Sequence, residues 1–167
     1  MSRPETNLTP ELPESAVVLM IGLPGSGKST WLAEHGCRAV STDVLRELLF
    51  GNAGDQRTPA RVFGLLRMIL AIRLEAQVPR TFIDATNLSS TERKPLIRLA
   101  EKVGVAAVGI WMDTGVEECL RRNRKRQRQV DDAVVRRMAG KLRPPTAAEG
   151  VAHLYRVRGG SGGEWVY

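Results

Sequence analysis

The sequence predicts an α/β protein, a three-layer sandwich around a mainly parallel central sheet, and three observations carry that expectation. The run AVVLMI (16–21) is apolar at every position, as a strand buried on both faces of a parallel sheet must be. It leads directly into GLPGSGKST (22–30), a glycine-rich turn that opens a helix. Beyond it, short apolar runs alternate with helical patterns, the order that builds a parallel sheet covered on both sides.

The elements follow in turn. A helix is expected from Lys28 to about His35, closed by Gly36. RAVST (38–42) reads as the second strand, and DVLRELLF as a short helix with Asp43 as its N-cap. The Gly-, Asn-, Asp- and Pro-rich residues 51–59 form a loop. Apolar residues recur at helical spacing over 60–76, which predicts a long core-facing helix. TFIDA (81–85) is the third strand. Ser89 and Glu92 form a capping box for a helix reaching Val103, with Pro95 raising the alternative of a start nearer Thr91.

VAAVGIWM (105–112) is the fourth strand. Thr114 and Glu117 spell another capping box, predicting a helix through Arg121 to about Arg128. Asp131 or Asp132 caps a further helix to Leu142, stopped by Pro144 and Pro145. AHLYRV and EWVY flank RGGSGG and read as a terminal strand or hairpin. Residues 1–14 read as a polar, Pro-rich arm with a short edge strand near NLTPEL, and 15–167 as one domain.

Composition narrows the function classes. A chain of 167 residues holds one real core, and a hydrophobic fraction of 43% excludes global disorder. The net charge of +7 is compatible with a polyanionic partner but does not require one. Cys37 and Cys119 are far apart and His35 and His153 isolated, so neither a disulfide framework nor a zinc site is expected. With no secretory leader and no apolar run of membrane-spanning length, a cytoplasmic protein without membrane partners is expected.

Gly22, Gly27, Lys28 and Ser29 fit the P-loop pattern in the strand–loop–helix setting it requires. The glycines let the backbone, Gly22 through Leu23, Pro24, Gly25, Ser26 and Gly27, curl its N–H groups inward on phosphate oxygens. The helix N-terminus adds partial positive charge. Lys28 should reach the β- and γ-phosphates of ATP or another nucleoside triphosphate, Ser29 should ligate Mg²⁺, and Thr30 adds a bond to the α-phosphate. Asp84, ending a buried strand, is a candidate acid behind the metal; its structural alternative is to cap the following turn.

On the acceptor side, Asp43 should emerge from the same sheet edge as Asp84, with Arg46 one helical turn on. A carboxylate there can orient a hydroxyl and take its proton; the plainer reading leaves Asp43 as a cap and Arg46 as a solvated charge. CLRRNRKRQRQV (119–130) places Arg122 and Arg126 four apart, with Arg124 and Arg128 on a neighbouring face. After the fourth strand of a P-loop protein, such a run suits a mobile lid, here about 115–143, whose arginines neutralise phosphate charge.

With these residues in place the sequence resembles the 5′-OH polynucleotide kinases, especially the kinase module of bacterial end-healing kinase–phosphatase–ligase proteins. The matching stretches are LTPEL, AVVLMIGLPGSGKST, STDVLREL, GDQ, RLEA, TFIDATNLSSTERKPLIRLA and RRNRKRQRQV, from about Leu8 onward. The resemblance implies a P-loop kinase-type fold with a short arginine-bearing helical lid and transfer of the ATP γ-phosphate to the 5′-hydroxyl of RNA or DNA. By position it implies Asp43 as general base, Arg46 on the acceptor's phosphate backbone, and Gln56 and Arg57 near the terminal nucleotide. Lys28, Arg122 and Arg126 would meet the donor phosphates, Arg126 closest to the transferring group, with Ser29 and Asp84 at the metal. The lid is about one residue shorter than the family pattern, and RGGSGGEWVY has no counterpart in it. No phosphatase or ligase motif follows, so any other end-healing activity is expected from separate domains or proteins. Two other readings share the cradle: a kinase for a small hydroxyl compound such as a sugar, sugar acid or antibiotic, and a nucleotide-gated regulatory ATPase.

Overall fold

The computed structural model describes residues 10–159 and 162–167. Its elements run β1 (Ala16–Ile21), α1 (Lys28–Glu34), β2 (Ala39–Ser41), α2 (Thr42–Phe50), α3 (Pro59–Glu75), β3 (Arg80–Asp84), α4 (Ser90–Lys102), β4 (Ala106–Asp113), α5 (Val116–Asn123), α6 (Asp132–Lys141), a 3-10 turn (Ala147–Glu149), β5 (His153–Arg158) and β6 (Gly163–Trp165). The strands form one sheet in the order β2-β3-β1-β4-β5-β6. All neighbouring pairs are parallel except β5–β6, the terminal hairpin.

The uninterrupted apolar run of β1 serves two cores at once. Because side chains alternate across a strand, Val17, Leu19 and Ile21 enter one cluster with α2, α3 and α4, while Ala16, Val18 and Met20 enter the other with Trp31 and Leu32 of α1. Every β1 residue is buried. The three-layer sandwich expected from the alternation of elements is the fold observed.

Helix boundaries depart from expectation where a local signal is used elsewhere. Asp43 is not the cap of α2. Ser41 is, its hydroxyl accepting from the Asp43 N–H, and this leaves the Asp43 carboxylate for other partners. The Thr114–Glu117 box does not form either: the Thr114 hydroxyl donates to the Ser26 carbonyl at 3.0 Å, and α5 starts after Gly115. The helix expected to reach Arg128 ends at Asn123, so Arg122 and Arg126 do not share a helical face. Ser89 does cap α4, and that helix runs through Pro95.

The proposed edge strand near NLTPEL falls partly on residues 7–9, outside the described residues, and residues 10–12 form no strand. There the Leu12 and Pro13 carbonyls accept from Arg80, tying this segment to β3. Among the described residues no helix is long and apolar enough to cross a membrane.

Candidate active site

The sheet brings three loops to one edge. Met20 of β1 and Ser41 of β2 both pair in register with Asp84 of β3, so the P-loop, the start of α2 and the Asp84 carboxylate leave the sheet side by side. Beneath them, the turn after β3 is stapled to β1: the Gly22 N–H donates to the Thr86 carbonyl at 3.0 Å, and the Asn87 amide donates to the Met20 carbonyl at 2.7 Å. The edge opens into a cleft of about 1390 Å³.

Within the P-loop, the buried Lys28 ammonium donates to the carbonyls of Gly22 at 2.8 Å and Leu23 at 2.9 Å, folded back on its own loop. Burial pushes its pKa down from 10.5 to about 8, against the opposing pull of Asp84. Pro24, Gly25, Ser26, Gly27, Ser29 and Thr30 line the cleft with Lys28. Leu23 instead packs its side chain beneath the loop against Leu88 and Cys119. Gly25 has φ +82, and a Cβ there would run into the Cys119 carbonyl of α5. Only glycine permits that close approach of loop to lid helix.

Ser29 Oγ donates to Asp84 Oδ2 at 3.2 Å. Burial raises the Asp84 pKa, opposed by Lys28 and the Ser29 bond. A hydroxyl and a carboxylate at the mouth of a phosphate cradle make a hard-oxygen donor pair that fits Mg²⁺, which binds through one or two carboxylates together with substrate phosphates. Among the described residues no cluster of three or more His, Cys, Asp or Glu side chains offers an all-protein metal cage.

At the α2 side of the cleft Asp43 holds two arginines. Arg46 Nη1 donates to its Oδ1 at 3.0 Å and Arg128 Nη2 to its Oδ2 at 2.6 Å. Asp43 also acts electrostatically on both Lys28 and Asp84, as a carboxylate facing the same cleft must. Gln56 lines the cleft. Arg57 stands outside it, paired with Asp55 at 2.6 Å and over the Phe50 ring.

The lid brings its arginines in by a route the helical spacing does not give. Asn123, fully buried, donates to the Val130 carbonyl at 2.6 Å and accepts from the Val130 N–H at 3.0 Å. These two bonds pinch the segment between α5 and α6 into a closed loop. From it Arg126 reaches the cleft exposed, near enough to act on both Lys28 and Asp84. Arg122, ion-paired with Glu118, lies against the P-loop: its Nη1 is 3.6 Å from where a Gly27 Cβ would stand.

Three residues that hold the cleft together carry no clear signal in the sequence. Arg128 and Asn123 are visible only as members of a basic run. Arg93 is fully buried, donating to both Glu149 oxygens at 2.8 Å and to the carbonyls of Asn87 at 2.8 Å and Arg143 at 3.1 Å. It ties the turn below Asp84 to the lid's exit. Its signal in the sequence is register: Arg93, Leu96, Ile97 and Ala100 fall on one buried face of α4. Arg93→Ala, which strands a largely buried Glu149, is expected to cost about 3–5 kcal/mol in a denaturant titration. A cost under about 1 kcal/mol would show the network to be dispensable.

Known proteins share this fold. The chain matches the family described as "AAA domain" over residues 17–145. A guanine nucleotide-binding protein alpha-7 subunit of Caenorhabditis elegans is 25% identical over 122 residues, which cover 70% of this chain and 33% of the relative. The chain thus spans about a third of that relative's length. Among solved structures, the Mycobacterium tuberculosis APS kinase CysC, in complex with AMPPNP and APS, superposes with TM-score 0.56 at 21% identity, covering 89% of this chain and 91% of that one. The Pnkp1/Rnl/Hen1 complex superposes with TM-score 0.57 at 21% identity, covering 72% of this chain and 42% of that one. At such identities the likeness is one of fold. The match over most of the chain, on a sheet edge carrying a triphosphate cradle, places this protein in the AAA-domain family, with the fold of a P-loop kinase-type phosphotransferase.

Proposed function

We propose that the protein transfers the γ-phosphoryl group of ATP to the 5′-hydroxyl at the end of a nucleic acid strand. The observation that carries this reading is Asp43, a carboxylate held by Arg46 and Arg128 in an open cleft that it shares with the phosphate cradle. The sequence resemblance to polynucleotide kinases and the fold shared with the Pnkp1/Rnl/Hen1 complex support it.

The chain's own residues supply each step. Lys28 exchanges its bonds to the Gly22 and Leu23 carbonyls for the β- and γ-phosphates. Ser29 and Asp84 would hold Mg²⁺, which when bound screens charge on the β- and γ-oxygens. Asp43 orients the acceptor hydroxyl and takes its proton as the new O–P bond forms and the β–γ bridging bond breaks, releasing ADP. Arg126 and Arg122 neutralise the charge gathering on the leaving phosphate. Around this centre Lys125, Arg137 and Lys141 continue a basic lining suited to a polyanion.

A second reading, a small-molecule hydroxyl kinase, is favoured by the fold shared with APS kinase over nearly the whole chain. Salt separates the two. For an oligonucleotide making about three phosphate contacts, the acceptor KM should rise at least tenfold between about 50 and 200 mM salt. A KM that stays flat while oligonucleotide ends are phosphorylated would remove the basic track, and a flat KM for a preferred small acceptor would favour the second reading.

A further inference from the structure

In the arrangement described, each Asp43 oxygen already accepts from an arginine. Arg46 takes Oδ1 from within α2, and Arg128 takes Oδ2 from 85 residues away in the lid loop. Two cations meet one carboxylate, so the cluster carries an excess positive charge. Its surplus donors are specific: Arg46 Nε and Arg128 Nη1 are buried and, among the described residues, have no hydrogen-bond partner. Arg46 as a whole is 6% exposed. Arg128 also spans the acceptor side, its Nη1 lying 3.8 Å from where a Gly54 Cβ would stand. A buried guanidinium N–H without an acceptor costs free energy, so this cluster is built to receive an anion.

Resting on the phosphotransfer reading, we infer that Arg128 is a specificity-determining residue that makes Asp43 respond to the acceptor. With the acceptor side empty, Arg128 neutralises Asp43 and holds the oxygen that would accept a proton. An acceptor carrying a phosphodiester beside its hydroxyl gives Arg128 a second anionic partner. Exchanging one charge-assisted bond for another frees Asp43 Oδ2 at little cost. Water brings no anion, so Arg128 stays in place and ATP is not wasted on hydrolysis. The orphaned Arg46 Nε lies on the same cluster and shares the incoming phosphate.

The test compares wild type with Arg128→Gln, Arg128→Lys, and Arg124→Gln as a charge-matched control whose guanidinium is bound to Asp132 in the same lid. Phosphate release from ATP without acceptor is measured first. Arg128→Gln is expected to raise it about tenfold, and adding Asp43→Asn to that variant to cancel the rise. Arg128→Lys should restore most of the suppression, and Arg124→Gln should match wild type.

Transfer is measured next, to a 5′-hydroxyl dinucleotide and to a nucleoside lacking phosphate. Arg128→Gln should raise the dinucleotide KM about tenfold or more while changing the nucleoside KM less than about twofold. Unchanged hydrolysis, or a weakened affinity for an ATP analogue with the acceptor KM unaffected, would overturn the inference and make Arg128 a donor-side residue. Hydrolysis governed by Arg128 and Asp43 in a protein that phosphorylates no nucleic acid end would uphold the inference and overturn the polynucleotide reading.

Discussion

Asp43→Asn is expected to lower phosphoryl transfer by about 10²–10⁴ while leaving the affinity for a non-hydrolysable ATP analogue within about twofold of wild type. The asymmetry follows from where the residue stands. Its carboxylate touches Arg46 and Arg128, and none of its hydrogen bonds goes to the P-loop. Asparagine keeps the volume and one acceptor oxygen but cannot take a proton, so loss of transfer with retained binding isolates proton removal. Thermal unfolding must be followed in parallel, because the buried Arg46 guanidinium loses its charged partner in the variant. A variant that still transfers phosphate near the wild-type rate would reduce Asp43 to a structural anchor for two arginines. A variant that loses ATP-analogue binding would move it to the donor side.

The second large effect concerns Lys28 and pH. With its pKa held near 8 by burial, Lys28 loses its charge in the free protein well before an exposed lysine does. A bound triphosphate stabilises the ammonium and raises that pKa, so binding takes up a proton above pH 8. Magnesium-free affinity for an ATP analogue should be flat below about pH 7 and roughly 30-fold weaker at about pH 9.5. Stability moves in the opposite direction. The unfolded chain keeps its lysine protonated up to the ordinary value of 10.5, so between about 8 and 10.5 it binds more protons than the folded chain. Unfolding free energy therefore gains a contribution that rises with pH across that window. Lys28→Met should bind the analogue at least tenfold more weakly at pH 7 and flatten both profiles. If the affinity of Lys28→Met has the same pH slope as wild type, the titrating group is another one.

What the sequence revealed was local. The β1 run is apolar throughout because it faces two cores, and the glycine spacing of the P-loop is dictated by a backbone that must curl within a few residues. Asp43 and Arg46 are one helical turn apart, so their pairing follows from spacing alone. What stayed hidden depends on distance in the chain. Nothing near Thr114 announces that its hydroxyl will be used by Ser26, 88 residues away, which is why a credible capping box fails. Nothing near Arg128 announces Asp43. The helical spacing of its charges predicts that α5 continues toward Arg128. It stops because a buried amide, Asn123, secures the backbone of Val130 and turns the arginines into a loop. Arg93 is inconspicuous for the opposite reason: in a chain rich in arginine, only its place on the buried face of α4 sets it apart.

Under the proposed function, the cleft joining the P-loop to Asp43 serves the terminal hydroxyl of a nucleic acid. The most direct measurement offers the protein γ-labelled ATP with a panel of hydroxyl acceptors in competition: 5′-hydroxyl RNA and DNA oligonucleotides, the same strands already 5′-phosphorylated, and neutral and anionic sugars. Label is expected to enter the 5′-hydroxyl strands and to leave the 5′-phosphorylated strands and the sugars unlabelled. Label accumulating on a small compound, or strand ends left unmodified by folded protein that binds ATP, would contradict it.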